Sequence, residues 1–122
     1  MKLLKTEEFL SFENPNPQEF YRVEVLKKED GFKDLGGLFA VLVPGKEVPY
    51  HYHQDRESVI IPISGEAIET VEGKEITLRP GDVICIQPGE KHGTINRSNE
   101  EFRYIEFFTC PPVGADFIEV KE

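Results

Sequence analysis

From Phe20 onward the chain is a succession of short apolar or alternating runs, each closed by glycine, proline or an acidic turn. Phe20 to Leu26 alternates, with Tyr21, Val23 and Val25 on one side, the period of a half-buried strand. Lys28-Glu29-Asp30-Gly31 reads as its turn. Leu38 to Val43 is almost wholly apolar and ends at Pro44-Gly45, which predicts a strand covered on both faces. Glu57 to Ser64 is the next long strand, closed by Gly65. Glu66 to Val71 and Lys74 to Leu78 flank Glu72-Gly73, a hairpin signal. Arg79-Pro80-Gly81-Asp82 turns into Val83 to Ile86, and Gln87-Pro88-Gly89-Glu90-Lys91 turns into His92 to Ile95. Phe102 to Thr109 is the last strong strand before Cys110-Pro111-Pro112, with a short apolar Phe117-Ile118 beyond. Roughly eight to ten short strands, evenly punctuated and without a long helical period, predict an all-β sandwich or barrel.

The first twenty residues read as an arm (1–20) ahead of a single barrel domain (21–122). Thr6 is expected to cap one short helical turn through Leu10, and Asn14-Pro15-Asn16-Pro17 breaks regular structure. A chain of 122 residues holds one core and is too short for two. Its net charge of −9 argues against a nucleic-acid or anionic-membrane partner, either of which needs a basic face. No apolar run approaches the roughly 20 residues that span a bilayer, and Glu7-Glu8 arrives before any signal-peptide core could form. A cytoplasmic protein is expected. Cys85 and Cys110 form no Cys-x-x-Cys pair, so they read as two small apolar residues in or near strands, with Cys85 as a pocket-lining alternative.

The chemistry concentrates between Gly45 and Gly65. His51 and His53 are two apart, so on an extended strand both imidazoles leave one face. Glu57 follows within reach after a short bend, and His92, the remaining histidine, lies in the second glycine- and proline-punctuated segment. A His-x-His pair alone reads equally as a strand surface or a satisfied core pair. Three imidazoles and one carboxylate converging on a point suit a divalent transition metal. By strand parity Arg56 faces away from Glu57, as a surface or inter-sheet ion pair or else an anion clamp, while Val59, Ile61 and Ile63 follow Glu57 inward. Tyr104, Glu106 and Phe108 share one face of the last strand, and Ile105 and Phe107 the other. An acid or phenol facing the pocket there would serve as a proton shuttle. No Gly-x-Ser-x-Gly elbow, glycine-rich phosphate loop or helical His-Glu-x-x-His occurs.

These two segments resemble the paired signature motifs of the cupin superfamily, in its small single-domain conserved-barrel (cupin 2) form. Gly45, His51, His53 and Glu57 fit the first motif, although seven residues separate Glu57 from Gly65 where the family pattern has six. Gly81, Gly89, His92 and Asn96 fit the second, with Gln87 at the proline position and Pro88 one place later. The extra residue before Gly65, with Pro62 inside the strand, suggests a β-bulge or an edge position.

The resemblance implies a double-stranded β-helix (jelly-roll) barrel. It also implies one divalent metal (iron, manganese, nickel, cobalt or zinc) on His51, His53, Glu57 and His92. Asn96 would close the turn after the ligand strand. Such a site suits small polar or anionic molecules and Lewis-acid or oxygen chemistry, as in a metal-dependent dioxygenase, isomerase or lyase. The alternative is a non-catalytic barrel that binds a small ligand with metal as anchor. The resemblance further implies a homodimer.

Overall fold

Each apolar run becomes a strand, and the punctuation between runs is where the chain reverses. A computed structural model describes residues 1–121. The strands are β1 (Tyr21–Leu26), β2 (Gly36–Leu42), β3 (Glu47–Tyr52), β4 (Ser58–Ser64), β5 (Ala67–Val71), β6 (Lys74–Leu78), β7 (Ile84–Ile86), β8 (His92–Ile95), β9 (Phe102–Phe108) and β10 (Ile118–Glu119). They form two five-stranded sheets, β1-β2-β9-β4-β7 and β10-β3-β8-β5-β6, paired antiparallel throughout. This is the expected all-β jelly-roll barrel.

The faces follow from the period of two. Inward residues from both sheets, including Leu38, Ala40, Leu42, Ile60, Ala67, Leu78, Phe102, Tyr104 and Phe108, form the main core. On β9 the inward set is therefore Phe102, Tyr104, Glu106 and Phe108, while Ile105 and Phe107 face out. A second cluster lies outside the first sheet, where Phe39, Val41 and Ile105 meet Phe9 and Phe12 of the arm. Phe9 packs on Phe39 at 4.6 Å between ring centroids, and the Arg103 guanidinium donates to the Phe9 carbonyl at 2.9 Å. The arm thus supplies the second cover that the wholly buried β2 requires. Its helix α1 (Thr6–Leu10) begins after Lys5, with no side-chain cap. Thr6 lies inside the first turn and is not the cap the sequence suggests.

The inward residues of β4 are Ser58, Ile60 and Pro62, and Val59, Ile61 and Ile63 turn outward. This reverses the parity expected from Glu57, and a slip of one residue exchanges every side chain between faces. The register of β4 against β9 does shift between Pro62 and Ser64, a bulge at the place the extra residue suggests. Pro62 sits in an inner strand of its sheet, beyond the reach of β7, which pairs only with Ser58 to Ile60. Among the described residues no helix is long and apolar enough to cross a membrane.

Two turns show why glycine is needed. Glu72 and Gly73 both take positive φ, 48° and 80°, the geometry that joins β5 to β6 by a two-residue hairpin. Gly65 has φ of 77°, and a β-carbon there would run into the Glu101 carbonyl oxygen. Gly65→Ala is expected to lower unfolding free energy by about 1–3 kcal/mol. Urea melts would check this, and an unchanged midpoint would refute the backbone account.

Candidate metal centre

The imidazoles are placed by strand pairing. His51 lies in β3 and His92 opens β8 as its cross-strand partner, with a register irregularity between Val48 and His51. His53 follows just past the end of β3, where its carbonyl accepts from Gly89 N–H at 2.7 Å. That bond ties the first ligand segment to the Gln87-Pro88-Gly89 turn, and so to His92. Ring centroids stand 4.2 Å apart for His51–His92, 4.8 Å for His51–His53 and 5.3 Å for His53–His92. One nitrogen from each ring lies within 4.8 Å of the others, and all three side chains are buried. Nitrogens sharing one ion stand about 3–3.5 Å apart, a difference that small ring rotations cover.

Each ring has its other nitrogen fixed. Nδ1–H of His51 donates to Pro49 O at 2.6 Å, that of His53 to Asp116 O at 2.5 Å, and that of His92 to Glu90 O at 3.0 Å. The three Nε2 atoms are left as acceptors. Burial pushes all three imidazoles below their ordinary range, His51 to about 3, with neighbouring rings adding to the effect at His51 and His92 and Arg56 adding to it at His53. Neutral rings with free, converging lone pairs are the donor set a divalent transition metal takes.

The 110–119 segment closes this arrangement from outside. The Asp116 carboxylate accepts from the amides of Gln54, Asp55 and Arg56 at 2.7, 2.8 and 2.9 Å. Its own carbonyl holds His53. Phe117 stacks on His51 at 4.3 Å and meets His53 edge-on at 6.1 Å.

Glu57 does not join the imidazoles. Its side chain is exposed and borders a hollow of about 410 Å³ that it shares with Leu35, Val59, Cys85, Phe107 and Thr109. Of the four residues expected around an ion, the three histidines come together and Glu57 lies outside their group. The cause is parity: Arg56 turns inward, so Glu57 turns out and Ser58 takes the next inward place. Arg56 is neither a surface ion pair nor a free anion clamp. It is 2% exposed and donates to the carbonyls of Thr109, Val113, Cys110 and Pro112 at 2.8–3.1 Å, its guanidinium 4.4 Å over the Phe108 ring. Asn96 does close the following turn, donating to Leu42 O and Glu100 O and accepting from Ser98. Cys85 is exposed on β7, lining the outer hollow, and both cysteines are free.

The interior carries acids that the spacing motifs do not mark. Glu69 is fully buried on β5, where its Oε1 accepts from Thr94 Oγ1 at 2.5 Å and its Oε2 has no partner. Burial pushes this carboxyl up to about 8, partly offset by Thr94. Glu106 is pushed up to about 7 by burial, against the pull of Ser58, Arg56 and Arg22. Ser58 Oγ stands near that carboxyl without completing a hydrogen bond. Tyr104 is raised by burial and by both acids. Glu69 was visible in outline, since Ala67, Glu69 and Val71 alternate onto one face of a predicted strand.

A family model described as "Cupin domain" matches residues 38–108. A glucose-6-phosphate isomerase of Pyrococcus abyssi is 29% identical over 129 residues, covering 95% of this chain and 66% of its own. That of Thermococcus onnurineus is 31% identical over 115 residues, covering 84% of this chain and 60% of its own. The chain therefore spans just under two thirds of the length of these relatives. A crystal structure of a double-stranded β-helix domain protein from Klebsiella pneumoniae superposes with a TM-score of 0.78 at 25% identity, covering 100% of this chain and 99% of that one.

Two outcomes follow from this geometry. His53→Ala should reduce bound metal at least about tenfold and lower the melting temperature of the metal-loaded protein, whereas Glu57→Ala should leave metal content unchanged. Elemental analysis of both variants decides between three ligands and four. The second concerns pH. Folded Glu69 keeps its proton up to about 8, while the unfolded chain releases it near the ordinary value of 4.5. Its contribution to stability is thus present below 4.5 and lost as pH rises through 8. Glu69→Gln should reduce the loss of stability between pH 6 and 8 by about 1–2 kcal/mol, read from urea melts at both values. An equal loss in variant and parent would count against a buried neutral acid.

Proposed function

The chain belongs to the cupin domain family, and from that premise we propose that it is a mononuclear divalent-metal enzyme that isomerises a small α-hydroxy carbonyl compound. The observation that carries this reading is the set of three Nε2 lone pairs left free by the three Nδ1–carbonyl bonds. An ion held by His51, His53 and His92 would supply Lewis-acid polarisation of a carbonyl oxygen. The protein's part is to present neutral donors, exclude water and orient the substrate. With no carboxylate among the three donors, the full divalent charge remains for the substrate, which favours oxygen chelators. Two relatives of 29% and 31% identity are sugar-phosphate isomerases by name, and aldose–ketose interconversion is chemistry of this kind.

Specificity for a phosphorylated sugar has less support here. Apart from the three imidazoles, Arg56 is the one buried basic side chain among the described residues, and backbone carbonyls already hold its guanidinium. Among the described residues, a phosphate would find no free side-chain cation inside the barrel. The reading therefore favours an unphosphorylated substrate, or one whose phosphate remains in solvent.

The test is to purify the protein without a histidine tag and load it with manganese, zinc, nickel, cobalt or ferrous iron. Interconversion of fructose and glucose, of fructose 6-phosphate and glucose 6-phosphate, and of dihydroxyacetone and glyceraldehyde is then followed by proton NMR. Turnover of at least one pair, abolished by EDTA and indifferent to oxygen, is expected. Substrate-dependent oxygen uptake would move the protein to the oxygenase branch. Tight binding of a sugar without turnover would make it a ligand-binding barrel.

A further inference from the structure

We propose that Glu106 is the catalytic acid–base residue of this barrel, moving a proton between adjacent carbons of the substrate. The inference rests on the isomerase reading above and adds the residue that reading lacks. Three independent features of the interior point to it.

First, the strand register aims it. On β9, Tyr104, Glu106 and Phe108 alternate inward, and Glu106 lies between its partners Leu38 on β2 and Ile60 on β4. Second, it is only partly covered: Glu106 keeps part of its surface accessible although its strand neighbours Tyr104 and Phe108 are buried. Third, polar atoms without partners point into the same region. Ser58 Oγ from β4 and Glu69 Oε2 from β5 are both buried and both lack a hydrogen bond. They come from opposite sheets. An unpaired buried polar atom costs about 1–3 kcal/mol, so two around one carboxyl mark a place meant for a polar guest.

The imidazoles and the Thr94–Glu69 pair share one sheet. Thr94, which fixes Glu69, lies two residues after His92 on the same face of β8, about 7 Å along the strand.

The ionisable groups around Glu106 suit a group that must both take and return a proton. Arg56 and Arg22 favour its charged form, while burial opposes it. Glu69 faces it as a second acid, and Tyr104 stands beside it on β9. The balance leaves the carboxyl near neutrality, at about 7, where general acid–base catalysis works best.

The step is redox-neutral. The Glu106 carboxylate takes the proton from the carbon next to the carbonyl. The C–H electron pair becomes the carbon–carbon double bond of an enediol, and the carbonyl π pair moves to its oxygen. The protonated carboxyl then returns the proton to the former carbonyl carbon, and the hydroxyl proton changes oxygen. No oxidant or co-reactant is needed.

The test uses manganese-loaded protein in D2O with fructose, fructose 6-phosphate and dihydroxyacetone as probes. Readouts are isomerisation, deuterium entering the carbon beside the carbonyl, bound metal per chain, melting temperature, and affinity for glycolohydroxamate, an enediol mimic. Glu106→Gln should slow isomerisation and deuterium entry about 100-fold or more. Its metal content should not change, and its hydroxamate affinity should stay within about threefold, well under the tenfold that 1.4 kcal/mol represents. Glu106→Asp should recover part of the rate. A Glu106→Gln rate within about tenfold of the parent overturns the proposal, because a positioned base contributes at least 100-fold. Loss of metal from that variant also overturns it, by making Glu106 a ligand. Parent turnover with either result refutes the role of Glu106 alone. A metal-loaded parent that neither isomerises nor exchanges any probe sinks the isomerase reading and this role together.

Discussion

The buried guanidinium of Arg56 is the interaction on which the rest of the site depends. It sits 2% exposed with no carboxylate bound to it, and instead gathers four carbonyls of the Thr109–Val113 turn. A charge in such a place is costly unless hydrogen-bonded, and the carbonyl cradle together with the Phe108 face meets that cost. Two consequences follow. Arg56 fixes which side of β4 looks inward, and so puts Ser58 in the barrel and Glu57 in solvent. It also anchors the turn that leads to Asp116 and Phe117, which hold His53 and stack on His51. One side chain thus sets both the ligands of the site and its cover.

The interior divides along the barrel. Toward one end lie Ala40, Leu42, Phe102 and their neighbours, an apolar core closed outside by the arm. Toward the other lie three imidazoles, two acids, Thr94 and Ser58. A core of ordinary side chains would not keep Glu69 and Glu106 near each other, because each raises the cost of ionising the other. The apolar half supplies the stability that lets the polar half remain unsatisfied. Polar atoms that fail to pair in a folded chain are expected where binding takes place.

Much of this was legible in the sequence, and the failures have a common physical origin. The apolar runs, the hairpin at Glu72-Gly73, the bulge near Pro62 and the convergence of His51, His53 and His92 all follow from local pattern, because glycine positions and strand period are local facts. Glu57 lies apart from the imidazoles because spacing counts residues and a barrel counts faces. Between His53 and Ser58 the chain is held by Asp116, a residue some sixty positions away whose role no local window could show. The same loss of phase misplaced Val59, Ile61 and Ile63. Arg56 was misread for a related reason, since its partners are backbone carbonyls, and carbonyls carry no signature in a sequence. Thr6 failed as a cap because the helix begins one residue earlier.

Replacing an expected carboxylate ligand by the inward Ser58 changes what the centre can do. With three neutral donors, a divalent ion would keep its whole charge and a larger share of its coordination sphere. It would bind oxygen anions more strongly and polarise a carbonyl more than it would with an acid attached. The barrel still holds carboxylates elsewhere: Glu69, opposite Thr94 on β8, and Glu106 on β9 of the other sheet. A carboxylate on the ion is a poor base, because its lone pair is engaged and its basicity low. A carboxylate held apart, deep and only partly compensated by Arg56 and Arg22, is a competent one. An ion on the imidazoles with Glu106 held apart on β9 would separate Lewis acid from Brønsted base, as the proposed proton transfer beside a polarised carbonyl requires.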